Sequence, residues 1–367
     1  MSAPEPKRIE VEKHDKAMAA GPQAAAELAW HVPHEAPFEL TGFPWFGQDR
    51  IYRRLPVKPP EPIREPVDNL AWCTAGGQVR FRTDSRRVAV RVKLRAPAGM
   101  VHMPATGQCG FDAYFDSPSG PVYGNTTKYP IREDRYELEL LALPDRQERA
   151  FTLYFPLYQG VEELRVGLDP DATLAPPPAW AREGKVVVYG TSITQGGCAC
   201  RPGMAWTNIL SRRLNLEFVN LGFSGNGRGE PELARLITQI ERPRLYVLDY
   251  EANSNLEGLK ATLEPFIGIL RAHAPSLPIL VISRFANGRE VYDAQARANR
   301  QATREYQADV VRQCAARGDK QIHFLDGSNL LGPSGAEGTV DLVHPTDLGF
   351  WQIANGLEPV IGNLAQA

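Results

Sequence analysis

The pattern of hydrophobic and polar positions changes once along the chain, near residue 170. Over residues 77–168, apolar and polar residues alternate with a period of two in several short segments separated by turn residues. Within residues 88–94, for example, valine and leucine occupy one face while Arg91 and Lys93 occupy the other. Short alternating strands of this kind are typical of antiparallel sheets. The first half of the chain is therefore predicted to form an antiparallel β-sandwich.

Beyond residue 183, short apolar runs alternate with longer amphipathic segments. The run at 186–189 is Val-Val-Val-Tyr with no polar alternation, which suits a parallel strand buried on both faces. Strands that alternate with helices through short connections predict a parallel sheet with helices on both faces. The strands are expected at 186–189, 218–220, 245–249, 279–283 and 322–325, and the helices at 205–213, 231–240, 256–272, 295–317 and 346–364.

The segments outside these two patterns suggest the domain boundaries. Residues 176–178 are three consecutive prolines, which favour a semi-rigid extended spacer. Residues 1 to about 30 are charged and alanine-rich without an apolar face, and the next segment is aromatic and proline-rich. We therefore predict a mobile N-terminal arm or surface helix (1–30), a β-sandwich domain (31–170), a proline-rich linker (171–182) and an α/β domain (183–367).

Composition excludes several classes of partner. The chain has 367 residues, 43% of them hydrophobic, and a net charge of −2. This charge provides no basic surface for nucleic acid, and no apolar run approaches the length of a membrane helix. The N-terminus lacks the apolar core of a signal peptide. We expect a cytoplasmic protein, or one from which a leader has been removed, without nucleic-acid or membrane partners; the oligomeric state stays open.

The cysteines and histidines do not form a recognisable metal motif. Five cysteines without framework spacing do not indicate a disulfide scaffold. Cys198-Ala199-Cys200 is one residue short of Cys-x-x-Cys and has no second pair, so we expect reduced, structural thiols. His31 and His34 also lack a ligand pattern, and the loop after the first parallel strand fits neither nucleotide-binding fingerprint. No metal or cofactor is expected.

A serine, a histidine and a carboxylate occur where catalytic residues are useful. Ser192 follows the strand at 186–189, and ligands of open α/β sheets bind beyond the carboxyl ends of the strands. A serine hydroxyl needs a base within hydrogen-bond reach. His344 follows Asp341 by three residues, so the carboxylate can turn back and orient the imidazole.

Four segments, in this order, resemble the SGNH (GDSL-type) hydrolases: Gly-Thr-Ser-Ile-Thr at 190–194, the loop with Gly225, the loop with Asn253, and Asp-Leu-Val-His at 341–344. Threonine and isoleucine replace Asp and Leu of the family's Gly-Asp-Ser-Leu block, and Glu-Ala-Asn-Ser at 251–254 replaces Gly-x-Asn-Asp. The resemblance implies a flavodoxin-like three-layer αβα fold. It also implies a triad of Ser192, His344 and Asp341, and an oxyanion hole formed by the backbone N–H groups of Ser192 and Gly225 and the Asn253 side-chain amide.

A second motif lies in the predicted β-sandwich. Gly110-Phe111-Asp112-Ala113-Tyr114 resembles the Gly-x-Asp-Leu-Tyr motif of the β-domain that precedes some bacterial SGNH esterase domains, with Ala113 in place of leucine. In that family the β-domain resembles a carbohydrate-binding module. Whether it binds sugar here or only covers the α/β domain stays open.

The resemblance implies a serine ester hydrolase that acts on a small acyl ester, such as an O-acyl group on a sugar-like or polyol substrate, through an acyl-enzyme. The alternative is an acyltransferase with the same triad. A non-catalytic carbohydrate-binding protein is a third class, against which the intact triad residues argue. Four charged residues in loops at the same end of the sheet are candidates for binding a polar substrate or for pairing with one another: Arg201, Arg228, Glu251 and Arg284.

Overall fold

The computed structural model describes residues 10–366. The first half of this range folds into two antiparallel sheets that share one core. Its helices are α1 (Phe46–Asp49), α2 (Glu65–Leu70) and α3 (Ala105–Cys109). Its strands are β1 (Ala29–His31), β2 (Glu39–Thr41), β3 (Gln78–Thr83), β4 (Arg87–Leu94), β5 (Asp112–Phe115), β6 (Val122–Thr126), β7 (Arg135–Ala142), β8 (Arg149–Tyr154), β9 (Val161–Leu168) and β10 (Leu174–Ala175).

The predicted β-sandwich is confirmed. One sheet has the order β1-β9-β4-β7, and the other has the order β10-β3-β8-β5-β6 with β2 paired to β3. Val88, Val90 and Val92 of β4 are buried between the sheets, whereas Arg91 is exposed, as the alternation predicted. The pattern did not predict β6, because Val122 and Tyr123 at its start are exposed and the strand has no buried face.

The N-terminal arm differs from the expectation over its described part. Residues 1–9 lie outside the described residues, but Gly21 donates a backbone hydrogen bond to Lys128 (2.7 Å), and Gln23 forms a β-bridge with Leu138. Leu28 is buried. From residue 21 onward the chain is therefore attached to the β-sandwich, because the edge strand β7 offers unpaired backbone groups there.

The aromatic segment before β3 connects the two halves of the molecule. Phe43 and Tyr52 belong to the core of the β-sandwich, whereas Trp45 and Leu55 belong to the core of the parallel sheet. Arg54, which is fully buried, donates hydrogen bonds to backbone carbonyl groups in both halves. This segment therefore fixes the β-sandwich against the second domain.

The second half of the chain is a three-layer α/β domain. Five parallel strands have the order β12-β11-β13-β14-β15, which is the flavodoxin-like order that the resemblance implied. The strands are β11 (Lys185–Gly190), β12 (Glu217–Gly222), β13 (Pro243–Asp249), β14 (Ile279–Ile282) and β15 (Ile322–Leu325). The helices are α4 (Ser192–Gln195), α5 (Trp206–Leu214), α6 (Pro231–Ile237), α7 (Leu256–His273), α8 (Ala294–Ala316) and α9 (Asp347–Leu364).

Both faces of the parallel sheet are covered, as the unbroken apolar runs predicted. Val187 and Tyr189 of β11 face one hydrophobic core, and Val186 and Val188 face the other. All five predicted strands and five predicted helices of this domain are present within a few residues of the expected bounds. Within residues 10–366, every helix is too short or too polar to span a lipid bilayer.

Candidate active site

Ser192 lies at the turn between the central strand β11 and the short helix α4. A Cβ on Gly190 would lie 2.0 Å from Thr194 Oγ1, so only glycine lets the chain turn this tightly. Thr191, which stands where the family motif has aspartate, is the N-cap of α4, and its hydroxyl accepts a hydrogen bond from the Ile193 backbone N–H (3.3 Å). The turn therefore places the Ser192 side chain at the carboxyl edge of the sheet.

His344 and Asp341 lie together in the turn that leads into α9. The backbone N–H of His344 and that of Val343 both donate to Asp341 Oδ1 (2.7 and 3.1 Å). Asp341 Oδ2 accepts from His344 Nδ1 (2.7 Å). Leu342, between the two, has a left-handed φ of 71°, which lets the carboxylate turn back onto its own loop. Asp341 thereby orients the imidazole and selects the tautomer with the proton on Nδ1.

Folding brings this turn to the nucleophile. His344 Nε2 lies 3.0 Å from Ser192 Oγ, so hydroxyl, imidazole and carboxylate form one hydrogen-bonded series. Burial acts to raise the pKa of Asp341, but hydrogen bonds from the His344 backbone and ring and from Val343 outweigh it. The net effect lowers the pKa of Asp341, which keeps the carboxylate ionised at neutral pH.

Gly225 lies in the loop after β12, where contacts with neighbouring segments determine its position. Its φ of 67° is left-handed, and a Cβ would meet no atom within 4 Å, so the backbone conformation rather than crowding favours glycine. The preceding Ser224 N–H donates to Gln195 Oε1 (3.0 Å). Gln195 Nε2 in turn donates to the carbonyl of Leu157 in the β-sandwich domain (3.2 Å). The Gly225 loop is thereby connected both to α4 and to the other domain.

Asn253 follows β13, at the end of a short 3₁₀ turn over Glu251–Asn253. Its Oδ1 accepts the backbone N–H of Gly227 (3.2 Å). Because the carbonyl end of the amide is used by this contact, the Nδ2 end is available to a ligand. The backbone of Ser192, the Gly225 loop and the Asn253 amide thus follow three adjacent strands, β11, β12 and β13.

A cavity of about 600 Å³ opens beside these residues. It is lined by direct neighbours of the three site loops: Ile193 beside Ser192, Ala252 and Ser254 beside Asn253, and Val343 beside His344. The rest of its lining mixes apolar, amide and charged side chains: Asn255, Leu256, Glu257, Arg284, Phe285, Asn287, Asn299, Ala302 and Thr303. Its size is in the range of pockets that bind small organic molecules.

Family comparison agrees with this geometry. A family model for the GDSL-like Lipase/Acylhydrolase family matches residues 183–362, and a model for the N-terminus of Esterase_SGNH_hydro-type (GxDLY) matches residues 28–174. The second domain, residues 183–362, belongs to the GDSL-like lipase/acylhydrolase family. Membership supports an enzyme of the esterase class. No curated protein sequence matches the chain.

Solved structures share the two-domain architecture of this GDSL-like protein. A GDSL-like protein of Bacteroides ovatus is 27% identical with a TM-score of 0.85, covering 92% of this chain and 98% of its own. A salicylyl-acyltransferase from a tetracycline biosynthetic pathway is 23% identical with a TM-score of 0.74, covering 93% and 98%. A family two carbohydrate esterase from Clostridium thermocellum, in complex with cellohexaose, is 18% identical with a TM-score of 0.55, covering 79% and 92%. The last two establish likeness of fold.

Two of the four candidate substrate-binding residues, Glu251 and Arg284, have internal partners. Glu251 is 2% exposed and accepts hydrogen bonds from Thr303 Oγ1 (2.6 Å), Gln307 Nε2 (2.8 Å) and the Arg284 backbone N–H (2.7 Å). With its oxygens occupied, this carboxylate holds the loop after β14. Arg284 does line the cavity, and its guanidinium is already paired with Glu290 (2.9 Å).

Arg201 and Arg228 are placed away from the cavity lining. Arg201 Nη1 bonds Asp112 Oδ2 and the Tyr114 hydroxyl, both at 2.7 Å, so it binds the Gly-x-Asp-Leu-Tyr-like motif of the β-sandwich. Arg228 folds back onto the carbonyl of Gly225 (3.2 and 3.3 Å). Both arginines therefore form contacts within the GDSL-like protein itself. Their positions in the sequence, in loops at one edge of the sheet, did not predict these contacts.

Sequence reasoning missed several residues that contact the site. Gln195 and Tyr158 support the Gly225 loop, with the Tyr158 hydroxyl 3.4 Å from Ser224 Oγ. His102, from the β-sandwich half, packs its ring 5.7 Å from that of His344, measured between centroids. Tyr158 and His102 lie in the other domain and have no motif or spacing that links them to Ser192, whereas Gln195 lies three residues after Ser192 in α4.

Proposed function

We propose that this GDSL-like protein is a serine acylesterase with Ser192 as nucleophile, His344 as general base and acid, and Asp341 as the group that orients the imidazole. The observation that carries the proposal is the hydrogen-bonded series from Ser192 Oγ through His344 to Asp341, at 3.0 and 2.7 Å, beside a cavity of about 600 Å³. A serine hydroxyl at neutral pH acts as a nucleophile only when a base of this kind takes its proton.

In the first half of the reaction, Ser192 Oγ attacks the ester carbonyl carbon while His344 Nε2 takes the hydroxyl proton. The tetrahedral intermediate collapses, the ester C–O bond breaks, and His344 returns the proton to the departing alcohol. In the second half, water attacks the acyl-serine while His344 takes a proton from the water. The bond between the acyl carbon and Ser192 Oγ then breaks, His344 returns the proton to Ser192 Oγ, and the carboxylic acid leaves. Ser192 is then regenerated, so no external reactant besides water is consumed.

The negative oxygen of each tetrahedral intermediate needs donors aimed at it. We propose the backbone N–H groups of Ser192 and Gly225 and the Nδ2 of Asn253. The contact of Asn253 Oδ1 with the Gly227 N–H (3.2 Å) supports this role for the amide, since it fixes which end is free. The left-handed φ of Gly225 supports its role as well. Without a Cβ at this position, a ligand can approach the backbone N–H closely.

The mixed lining of the cavity supports a small acyl ester on a hydroxyl-rich scaffold. The side-chain oxygens of Asn255, Asn287 and Asn299 accept internal hydrogen bonds, so their amide N–H groups can donate to hydroxyl groups of a substrate. Ile193 and Phe285 offer apolar contacts for an acyl chain. Among the structural neighbours, a carbohydrate esterase binds cellohexaose, which agrees with a sugar-like substrate. Whether the protein also forms oligomers is independent of this proposal.

An acyltransferase is the second candidate, because the same acyl-serine can pass its acyl group to an alcohol instead of water. The fold likeness to a salicylyl-acyltransferase over 93% of this chain favours considering it. The two functions differ in how well the cavity excludes water and positions an acceptor. Incubation of an acyl donor with candidate polyols separates them: an acylated polyol indicates transfer, and free acid alone indicates hydrolysis.

A panel of p-nitrophenyl esters of increasing acyl length tests the chemistry. We expect a burst of phenolate and an acyl adduct on Ser192 by mass spectrometry. Ser192→Ala should lose about 10⁴-fold or more in kcat and retain the wild-type melting temperature. The exposed Ser276→Ala serves as the matched control with unchanged activity. Full activity of Ser192→Ala, or an adduct on another residue, would refute the assignment.

A further inference from the structure

Three potential metal ligands, one of them His344 of the proposed triad, lie close together. One ligand atom from each of His102, Cys198 and His344 lies within 4.8 Å of the other two. The three come from separate segments: His102 from the loop before α3, Cys198 from the loop after α4, and His344 from the turn before α9. The cluster therefore combines one residue of the β-sandwich half of the molecule with one residue near Ser192 and with His344 itself.

The donor set has the chemistry of a borderline-soft metal site. Imidazole nitrogen and thiolate sulfur are the ligands that Zn²⁺ prefers, and three protein donors leave a fourth position for water. In tetrahedral geometry, bonds of about 2.0–2.3 Å put donor atoms about 3.3–3.8 Å apart. The present separations, which are within 4.8 Å, need to shrink by about 1.5 Å at most. The exposed side chain of His102 is free to make that movement.

The local backbone supports the position of the thiol. Cys198 has a left-handed φ of 76°, which is uncommon for a residue with a side chain. Its side chain is 5% exposed, and it forms no disulfide. The ring of His102 meets the ring of His344 nearly edge to face, at 76°. The chain thus holds a free thiol beside two imidazoles in a conformation that costs energy.

We propose that His102, Cys198 and His344 form an inhibitory binding site for Zn²⁺. Because Asp341 holds His344 Nδ1 at 2.7 Å, the metal takes the Nε2 position, which otherwise accepts the Ser192 proton. Binding releases the Cys198 thiol proton to solvent, forms two metal–nitrogen bonds and one metal–sulfur bond, and involves no electron transfer. Metal binding is independent of the proposed function, whereas the inhibitory consequence rests on it.

Binding is measured on Ser192→Ala, which keeps all three ligands. Titration with ZnCl₂ by calorimetry is expected to give one site per chain, and Co²⁺ is expected to give a thiolate-to-cobalt absorption band. His102→Gln and Cys198→Ser, each added to Ser192→Ala, should weaken Zn²⁺ binding at least tenfold and remove the band. Cys200→Ser and His34→Gln are matched controls outside the cluster and should leave binding unchanged. The melting temperature of Cys198→Ala is compared with that of the parent protein. An unchanged value shows that weaker Zn²⁺ binding comes from the lost ligand and not from unfolding.

Inhibition is measured on the enzyme with Ser192 intact. Micromolar Zn²⁺ should abolish ester hydrolysis and EDTA should restore it. His102→Gln and Cys198→Ser, each compared with its own rate in EDTA, should resist Zn²⁺. Equal Zn²⁺ affinity in the ligand variants and the controls, or equal inhibition, would overturn the proposal. Stoichiometric binding to Ser192→Ala combined with a wild type inactive on every ester would instead refute the esterase function and leave the metal site standing.

Discussion

The two sides of the proposed active site are supported in different ways. On the nucleophile side, Ser192 is 5% exposed and Gln195 is fully buried, and contacts that hold the Gly225 loop reach into the β-sandwich. On the base side, the Asp341 and His344 side chains are 39% and 25% exposed. Apart from the contact of His344 with Ser192, the hydrogen bonds of these two side chains stay within one short turn. Tertiary packing therefore preorganises one side, and local backbone geometry preorganises the other.

This difference predicts how far damage spreads from each side. A change in the local turn should affect catalysis with little effect on the fold, because few other residues depend on that turn. A change in the buried contacts of the nucleophile side should lower both the stability and the turnover, because the same hydrogen bonds join the domains and position the Gly225 loop. Four measurements test this distinction.

The largest effect is expected from Asp341→Asn on the base side. An amide nitrogen in place of Oδ2 donates toward His344 Nδ1 and forces the ring proton onto Nε2, which can then no longer accept the Ser192 proton. We expect kcat to fall about 10⁴-fold, with a melting temperature within about 2 °C of wild type. Glu337→Gln, an exposed carboxylate in the preceding loop, is the control. A loss of less than tenfold in kcat would remove Asp341 from the triad.

The next effect is expected from Asn253→Ala, which removes the proposed side-chain donor to the oxyanion. Loss of one such donor typically lowers kcat about 10²–10³-fold, and we expect KM to change little. Ser254→Ala, the cavity-lining neighbour, should stay within about twofold of wild type by the same kinetics. An Asn253→Ala enzyme with wild-type kcat would show that the oxyanion is held by backbone groups alone.

A smaller effect on rate, with a larger effect on stability, is expected from Gln195→Met. The substitution leaves the Ser224 N–H and the Leu157 carbonyl without their partner, which costs about 1–3 kcal/mol of unfolding free energy. The loosened loop should lower kcat about tenfold. Gln78→Met is the matched control, since Gln78 is 1% exposed and bonds Ser211 Oγ (3.1 Å) away from the cavity.

Gln78→Met should lose comparable stability in urea titrations without losing kcat. Equal loss of kcat in both variants would mean that Gln195 acts only through global stability. Rescue by a conservative change completes the comparison: Gln195→Glu keeps an acceptor for the Ser224 N–H and should recover part of the lost turnover.

The smallest effect is the opposite pH dependence of the two sides. Burial raises the pKa of Asp249, beneath the nucleophile, to about 7, against the hydrogen bond from Thr194 that lowers it. Since the unfolded value is about 3.9, this carboxyl contributes stability below pH 4 that is lost as pH rises toward 7. The lowered pKa of Asp341 has the opposite sign: its contribution is present above pH 4 and is lost on acidification.

Asp249→Asn should therefore gain stability relative to wild type as the pH rises from 4 to 8, by on the order of 4 kcal/mol across that range. Thermal melts across that range provide the measurement. Identical pH profiles for Asp249→Asn and wild type would show that Asp249 keeps an ordinary pKa, and would remove this distinction between the sides.

Periodicity and order along the chain were enough to predict the architecture. The unbroken apolar run at 186–189 predicted a central parallel strand, because a strand buried on both faces has no polar alternation. The alternation of apolar and polar residues in β4 predicted a strand of a sandwich, because such a strand has one buried face and one solvent-exposed face. Residues that follow consecutive parallel strands must lie at one edge of the sheet, so the order along the chain predicts that Ser192, Gly225 and Asn253 lie at a common edge.

Only the tertiary structure decided which neighbours those residues have. Glu251 and Arg201 also follow strands of the sheet, yet one is buried under the Arg284 loop and the other binds Asp112 in the β-sandwich. Contacts between domains, such as the hydrogen bond of Gln195 with Leu157, leave no recognisable spacing in the sequence. They depend on how the two domains pack, and the hydrophobic pattern of each domain does not specify that packing. Local hydrophobic pattern thus determined the elements and the sheet edge, and long-range packing determined which polar groups remain free there to act.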